Sequence, residues 1–157
     1  YQADVANVRI PVVGSKTQKS NFTYPSNVTS LGFKKNGCWL YAGSEDGTIR
    51  FHDLRVSGSQ IIHKNDCEIN AVALSPAEGE LIAGDQNGKF MIYDLVASKM
   101  RTDTVRFSLM YPDMKDLNKE VAIRDIHLTL DGKLLIVADS SGCVFASEIK
   151  NTDIEEV

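Results

Sequence analysis

The chain has few of the residues that mark a disulfide-rich, membrane-spanning or nucleic-acid-binding protein. Its three cysteines, Cys38, Cys67 and Cys143, are odd in number and lack CxxC spacing, which favours a reducing compartment over a disulfide framework. No apolar run approaches the roughly 20 residues of a membrane helix. The net charge of -4 offers no basic face. We therefore expect a cytoplasmic protein that neither binds nucleic acid nor inserts into membranes.

Motifs of catalytic and metal-binding sites are equally scarce. The chain has no GxSxG, GxxxxGK[ST] or GxGxxG motif, the patterns that position nucleophiles and phosphates. Its three histidines, His52, His63 and His127, lack HxH and HExxH spacing. Residues 85–88, DQNG, look like the start of a calcium loop, but the Glu that such a loop requires is missing. The sequence predicts a turn there, and no enzyme, cofactor or metal site.

What the sequence does contain is a repeat. Residues 27–54 read NVTSLGFKKNGCWLYAGSEDGTIRFHDL, and the pattern returns at 69–95 and more loosely at 123–149. Four positions recur at an offset of 41 residues and then of 54: Phe33, Leu74 and Leu128; Gly43, Gly84 and Ala138; Gly47, Gly88 and Gly142; Asp53, Asp94 and Glu148. One offset shared by four positions indicates internal duplication.

Each repeat reads as short strands joined by tight turns. In the first repeat, Asn36-Gly37 and Asp46-Gly47 supply the positive φ angles that hairpins require. The strands expected there are Val28–Phe33, Trp39–Gly43 (apolar enough to be buried on both faces), Thr48–His52 (alternating, hence half-exposed) and an outer Gln60–His63. In the second repeat we expect Val105–Leu109 as the outer strand, followed by a long loop. Weaker signals at Val8–Ile10 and Asn21–Tyr24 predict two earlier strands.

A four-stranded unit of about 40 to 45 residues with Gly-centred turns is typical of a β-propeller blade. The predicted fold class is therefore all-β, a WD40-type propeller fragment of about three to three and a half antiparallel blades. Residues 1–26 would be outer strands of a preceding blade, 27–66 a blade, 67–120 a blade with a long terminal loop, and 121–157 a divergent, incomplete blade. So few blades leave open faces, so we expect a larger propeller or completion by a second copy.

Candidate functional residues fall into two groups. Residues expected to build the blades are Trp39, Asp46, Gly47, Asp53, Asn87, Gly88, Asp94 and Gly142. Residues expected in partner-binding loops between blades are Asn27, Asp66, Glu68, Tyr111, Asp113, Lys115 and Asp116. The long loop is the strongest functional candidate, because long loops in compact folds are often functional.

The repeats resemble one family in particular. NVTSLGF, LYAGSEDGTIR and DLR, followed by INAVALSP, GELIAGDQNGK and IYDL, are similar to the G-protein-β-like propeller subunit of TOR kinase complexes. The resemblance implies a seven-bladed parent and a non-catalytic subunit that binds the TOR kinase domain and stabilises its active-site region. The alternative is a general WD40 adaptor that binds peptides in a ubiquitin-ligase, chromatin or other complex. Residues 96–157 match least.

Overall fold

The computed structural model describes residues 7–9, 21–56, 58–101 and 121–148. These residues form thirteen β-strands: β1 Asn7–Arg9, β2 Asn21–Thr23, β3 Val28–Phe33, β4 Trp39–Ser44, β5 Thr48–Asp53, β6 Gln60–Lys64, β7 Ile69–Leu74, β8 Glu80–Asp85, β9 Phe90–Asp94, β10 Lys99–Met100, β11 Ile123–Leu128, β12 Leu134–Asp139 and β13 Val144–Glu148. None of the described residues forms a helix of the length and apolarity that crossing a membrane requires.

The strands form antiparallel sheets in the order of the chain. The first sheet is β3-β4-β5-β6, the second is β7-β8-β9-β10 and the third is β11-β12-β13, while β1 pairs with β2. The tight turns fall where the sequence predicts them. Gly37, Gly47 and Gly88 adopt φ of 68°, 77° and 74°, and glycine reaches such positive angles without steric cost. The all-β, blade-like prediction is confirmed.

The duplication extends to an irregularity that the sequence does not reveal. The first strand of each sheet (β3, β7 or β11) has a β-bulge at its start. The bulges lie between Val28 and Ser30, between Ile69 and Ala71, and between Ile123 and Asp125. These positions are related by the same two offsets as the sequence repeats. A bulge bends a strand and increases its twist, so the three sheets share a common local shape.

Neighbouring sheets pack face to face, with β7 lying between β3 and β11. Tyr41 and Ile49 of the first sheet pack on Ile69 and Leu81 of the second. On its opposite face the second sheet meets the third through the apolar cluster Ala71, Ile82, Phe90, Ile123, Ile126, Leu135 and Val137. We name these contacts the first and second interfaces.

Two glycines make this close packing possible. A Cβ atom on Gly43 would lie 2.7 Å from Ile69 Cγ2, and one on Gly84 would lie 2.5 Å from Ile123 Cγ2. Any larger side chain would therefore push the inner strand of the next sheet away. The recurring glycine of the second strand is thus required by the adjacent sheet.

One sequence prediction was wrong, and another falls outside the described residues. Strand β5 is not half-exposed, since Thr48, Ile49 and His52 are all buried. Ile49 packs in the first interface, whereas the His52 ring lies 4.1 Å from that of Phe22, so both faces are covered. Lys99–Met100 pairs with β9, a strand that the sequence did not predict. The predicted outer strand, Val105–Leu109, lies outside the described residues.

Candidate interaction surfaces

The loops that enter each sheet meet the turns between its second and third strands at one end of the molecule. Three equivalent backbone hydrogen bonds join them: Glu45 N–H to the Asn27 carbonyl, Gln86 N–H to Glu68, and Ser140 N–H to Ala122. We call this end the loop face, defined by residues 24–27, 45–47, 65–68, 86–88, 121–122 and 140–143. It presents a row of short segments whose backbones are fixed relative to each other.

A carboxylate fixes the turn of the first sheet. Asp46 Oδ1 accepts hydrogen bonds from Ser44, from Thr48 N–H at 2.9 Å and from Thr48 Oγ1 at 2.6 Å, while Asp46 N–H donates to Ser26 Oγ at 2.9 Å. Burial opposes ionisation of this group, but the hydrogen bonds from Ser44 and Thr48 outweigh it and lower the pKa of Asp46. The turn therefore keeps its charge and its shape at neutral pH.

The later turns use a different residue. Asp85 is buried, and its Oδ1 accepts from the N–H groups of Asn87 and Lys89 at 2.9 and 2.8 Å, while Oδ2 accepts from Asn65 Nδ2 at 2.9 Å. Asp139 likewise accepts from Ser141 and Cys143 N–H. Asp85 and Asp139 occupy the repeat position of Ser44, two residues before that of Asp46 and Asn87. Sequence reasoning placed Asp85 in the predicted turn and singled out Asn87, but it missed Asp139, although the matching offset was visible.

Known proteins match this chain in sequence. The family profile described as "WD domain, G-beta repeat" matches residues 16–53, a stretch that covers β2 to β5. The chain carries a WD40 repeat. Together with the three successive antiparallel sheets, this match makes the fold that of WD40-type propeller blades.

Relatives of the WD40 chain include subunits of one kind of complex. It is 36% identical to the "Target of rapamycin complex subunit LST8" of Bos taurus over 118 residues, which are 74% of this chain and 32% of the relative. It is 35% identical to the "Protein LST8 homolog" of Dictyostelium discoideum over 83% of this chain and 39% of the relative. It is 32% identical to the "Target of rapamycin complex subunit LST8-1" of Arabidopsis thaliana over 92% and 46%. The chain thus spans between about a third and a half of these relatives.

Three of the predicted partner-binding residues lie together on the loop face of the WD40 blades. Asn27 is exposed and donates to Glu45 Oε2 at 2.9 Å, and Asp66 and Glu68 are exposed in the loop that enters the second sheet. Tyr111, Asp113, Lys115 and Asp116 lie outside the described residues. The structure therefore brings together three of the seven predicted residues, and their role in binding stays a prediction.

The predicted glycines of the loop-face turns differ in their surroundings. A Cβ on Gly47 would lie 2.8 Å from the Cys67 carbonyl oxygen, and one on Gly88 would collide with the carbonyl of Val121. Each of these turns therefore touches the loop that enters the next sheet. Gly142, with φ of 89°, has no described atom within 4 Å of that position.

The terminal aspartates and the tryptophan lie at the opposite end. Asp53 forms an ion pair with Arg55 at 2.6 Å, and hydrogen bonds from Arg55 lower the pKa of Asp53 to about 2. Asp94 accepts from the N–H groups of Val96 and Ala97, both at 2.8 Å. Both carboxylates thus shape the turn after the third strand. Trp39 stacks on Phe51 of its own sheet, with ring centroids 4.2 Å apart.

Proposed function

We propose that this protein is a non-catalytic scaffold subunit of a TOR-type kinase complex, and that its WD40 blades bind and stabilise the kinase domain. The observation that carries the proposal is the similarity to TOR complex subunits from an animal and a plant, over 74% and 92% of the chain. The chain would act by presenting side chains on a rigid surface, without covalent chemistry.

The loop face suits this role because it is fixed before a partner arrives. Asp46, Asp85 and Asp139 hold its three turns, each through hydrogen bonds to the neighbouring backbone. Binding to a surface that is already ordered avoids much of the entropy cost of association. Exposed Asp66 and Glu68 add negative charge, which would favour a cationic patch on the partner and speed the encounter.

The direct test is affinity purification of the full-length protein from its own cells. We expect it to recover a kinase related to phosphatidylinositol 3-kinases, identified by mass spectrometry. Charge reversal on the loop face, Asp66→Lys with Glu68→Lys, should reduce recovery several-fold. Asp131→Lys reverses a charge in the β11–β12 hairpin at the opposite end and should not reduce recovery.

Two outcomes would redirect the proposal. Recovery of ubiquitin-ligase or chromatin subunits without such a kinase would favour the general WD40 adaptor. Equal recovery by the loop-face variant and the Asp131→Lys control would remove the loop face from the interface while leaving kinase association intact. Thermal melts of all variants would show that each one is folded.

The third sheet also suggests contact with further blades or with a second copy of the chain. Its outward face exposes Val144 to 70% and Leu134 to 37%, whereas Phe90 at the position equivalent to Val144 is buried. Apolar blade faces are covered in a closed propeller. We propose that this face packs on another blade, and light scattering on the purified chain would detect pairing of two copies as a doubled mass.

A further inference from the structure

The first interface opens into a cleft at the end of the molecule opposite the loop face. Lys34, Trp39, Tyr41, Phe51, Gln60 and Ile62 of the first sheet line one side, and Tyr93, Leu95 and Ser98 of the second line the other. Its volume is about 290 Å³, enough for one or two side chains, since a water molecule occupies about 30 Å³ in the liquid.

The floor of the cleft is aromatic and pre-ordered. Trp39 stacks on Phe51, and Phe51 meets Tyr41 with ring centroids 5.3 Å apart. Register fixes this arrangement, because Tyr41 and Phe51 are directly paired across β4 and β5. Such a surface offers large apolar area at little cost in side-chain entropy, as in many protein-binding hot spots.

Tyr41 places a polar group among the aromatic residues that line the cleft. The residue as a whole is only 2% exposed. Burial, with a smaller contribution from the Glu78 carboxylate, raises the pKa of Tyr41 to about 12, so the hydroxyl keeps its proton and can donate. A tyrosine hydroxyl that lines a cleft can donate a hydrogen bond to an acceptor brought by a ligand.

The rim of the cleft carries two cationic side chains beside the Trp39 ring. Lys34 Nζ lies 6.0 Å and Arg55 Cζ 5.4 Å from the centre of the Trp39 ring. Arg55 is neutralised by Asp53, and the nearby Glu78 accepts a hydrogen bond from Lys35 N–H. Lys34 has no carboxylate partner within the described residues. A carboxylate placed beside Lys34 would be attracted to its ammonium group.

The repeat shows that none of these features is needed to build a blade. Shifted by 41 residues, Trp39, Tyr41 and Phe51 become Glu80, Ile82 and Ile92, while Lys34, Arg55 and Gln60 become Ser75, Val96 and Arg101. All six residues change although the strands and their register are kept. The aromatic residues of the cleft floor and Lys34 thus have no counterparts at the equivalent positions of the second sheet.

We infer that the cleft between the first and second sheets binds an extended segment of a partner protein that carries a large apolar side chain next to an acidic residue. The apolar side chain would lie on Trp39 and Phe51. The acidic residue would pair with Lys34, and a backbone carbonyl would accept from the Tyr41 hydroxyl. This site is separate from the loop face and does not depend on the kinase proposal.

Trp39 is the only tryptophan of the chain, so its fluorescence and indole resonance report on the cleft. The probes are three blocked tetrapeptides titrated to millimolar concentration: acetyl-Ala-Leu-Asp-Ala-amide, the same peptide with Lys in place of Asp, and the same peptide with Ala in place of Leu. We expect saturable changes with the Leu-Asp peptide, binding weaker by about two- to five-fold with Lys, as for an exposed ion pair, and none with Ala.

Variants separate recognition from folding. Lys34→Glu should reverse the preference between the Asp and Lys peptides, whereas Lys133→Glu, an equal charge change in the β11–β12 hairpin of the third sheet, should not. Tyr41→Phe keeps the packing and should weaken the Leu-Asp peptide about two- to five-fold, as expected for one hydrogen bond. No saturable change with any peptide, or equal effects of the two lysine variants, would show that the cleft is only a gap between diverging sheets and overturn the inference.

Discussion

The first and second interfaces join successive sheets of the same repeat, yet they differ in chemistry. The second interface is mainly aliphatic, with Ile82, Ile123 and Ile126 all buried. The first is aromatic towards its outer edge, where Trp39 and Phe51 line an open cleft. At the position of Trp39 the second sheet carries Glu80, which pairs with Arg101 at 2.7 Å. The two interfaces therefore share the same backbone arrangement. They can differ in function at the positions where equivalent residues of the repeats have different side chains.

Exchanging the equivalent residues Tyr41 and Ile82 tests the comparison with the largest expected effect. Ile82→Tyr should cost about 2–6 kcal/mol, because overpacking a closed core and burying an unpaired hydroxyl each cost about 1–3 kcal/mol. Tyr41→Ile should cost only about 1–2 kcal/mol, since the lost ring borders an open cleft. Urea denaturation measures both, and equal costs would show that the first interface is as closed as the second.

The glycines of the loop-face turns give the next effect. Gly88→Ala should cost about 2–5 kcal/mol, which combines left-handed backbone strain of about 1–2 kcal/mol with a collision at the Val121 carbonyl. Gly142→Ala has the same strain but no described neighbour, so it should cost only about 1–2 kcal/mol. Denaturation of the two variants in parallel gives the difference. A larger cost at Gly142 would mean that its turn is packed against another part of the protein.

His52 lies on the side of the first sheet that faces away from the first interface and should make stability depend on pH. Its ring is buried, Nε2 is hydrogen-bonded to Tyr24, and Nδ1 has no partner within the described residues. Burial, helped by the charge of Arg50, lowers the pKa of His52 to about 4. The folded state therefore excludes a proton that the unfolded state binds, so stability is full above about pH 6.5 and falls as pH decreases towards 4.

The variant His52→Gln keeps a polar partner for Tyr24 but does not titrate. Between pH 7 and pH 5 the parent protein should lose about 2 kcal/mol more than this variant, a figure that follows from the two pKa values. Chemical denaturation at both pH values measures the difference, and His63, which is present in both proteins, cancels. If the parent protein and His52→Gln lose the same unfolding free energy between pH 7 and pH 5, the pH dependence does not arise from His52.

The ion pair of the second interface should have the smallest effect. Glu80 and Arg101 are 30% and 23% exposed, so Glu80→Gln should cost at most about 1 kcal/mol, as surface pairs do. The cost should shrink further in high salt, because exposed charges are screened. A loss of unfolding free energy that is larger and independent of salt would mean that the Glu80–Arg101 pair stabilises the second sheet, as the stacking of Trp39 on Phe51 stabilises the first.

Sequence reasoning was most successful where the structure depends on neighbouring residues. The strand segments from Val28 to Lys64 and the Gly37 and Gly47 turns follow from local patterns that also recur. Reasoning failed where distant parts of the chain decide the outcome. The burial of β5 results from contacts with Phe22 and with the second sheet, and the placement of β10 results from its pairing with Tyr93 and Asp94. Neither is encoded in a local alternation of residues.

The candidate site was only partly accessible for the same reason. Asn27, Asp66 and Glu68 could be assigned to loops between strands and do share one face. The cleft could not be predicted, because Trp39 and Tyr93 come from different sheets and meet only when these pack. The sequence did contain one signal of the cleft. When each residue is compared with its counterpart 41 positions later, the positions that differ are those where the two interfaces have different side chains.

The central claim is that the repeat determines the fold and that departures from it at the first interface create a binding site. Transplanting the second interface into the first with Trp39→Glu, Tyr41→Ile, Phe51→Ile and Gln60→Arg tests it most directly. Circular dichroism with urea denaturation would follow folding, and calorimetric titration with the Leu-Asp peptide would follow binding. We predict a cooperatively folded β-protein that no longer binds the peptide. An unfolded chain, or a folded one that binds the peptide as tightly as the parent, would contradict the account.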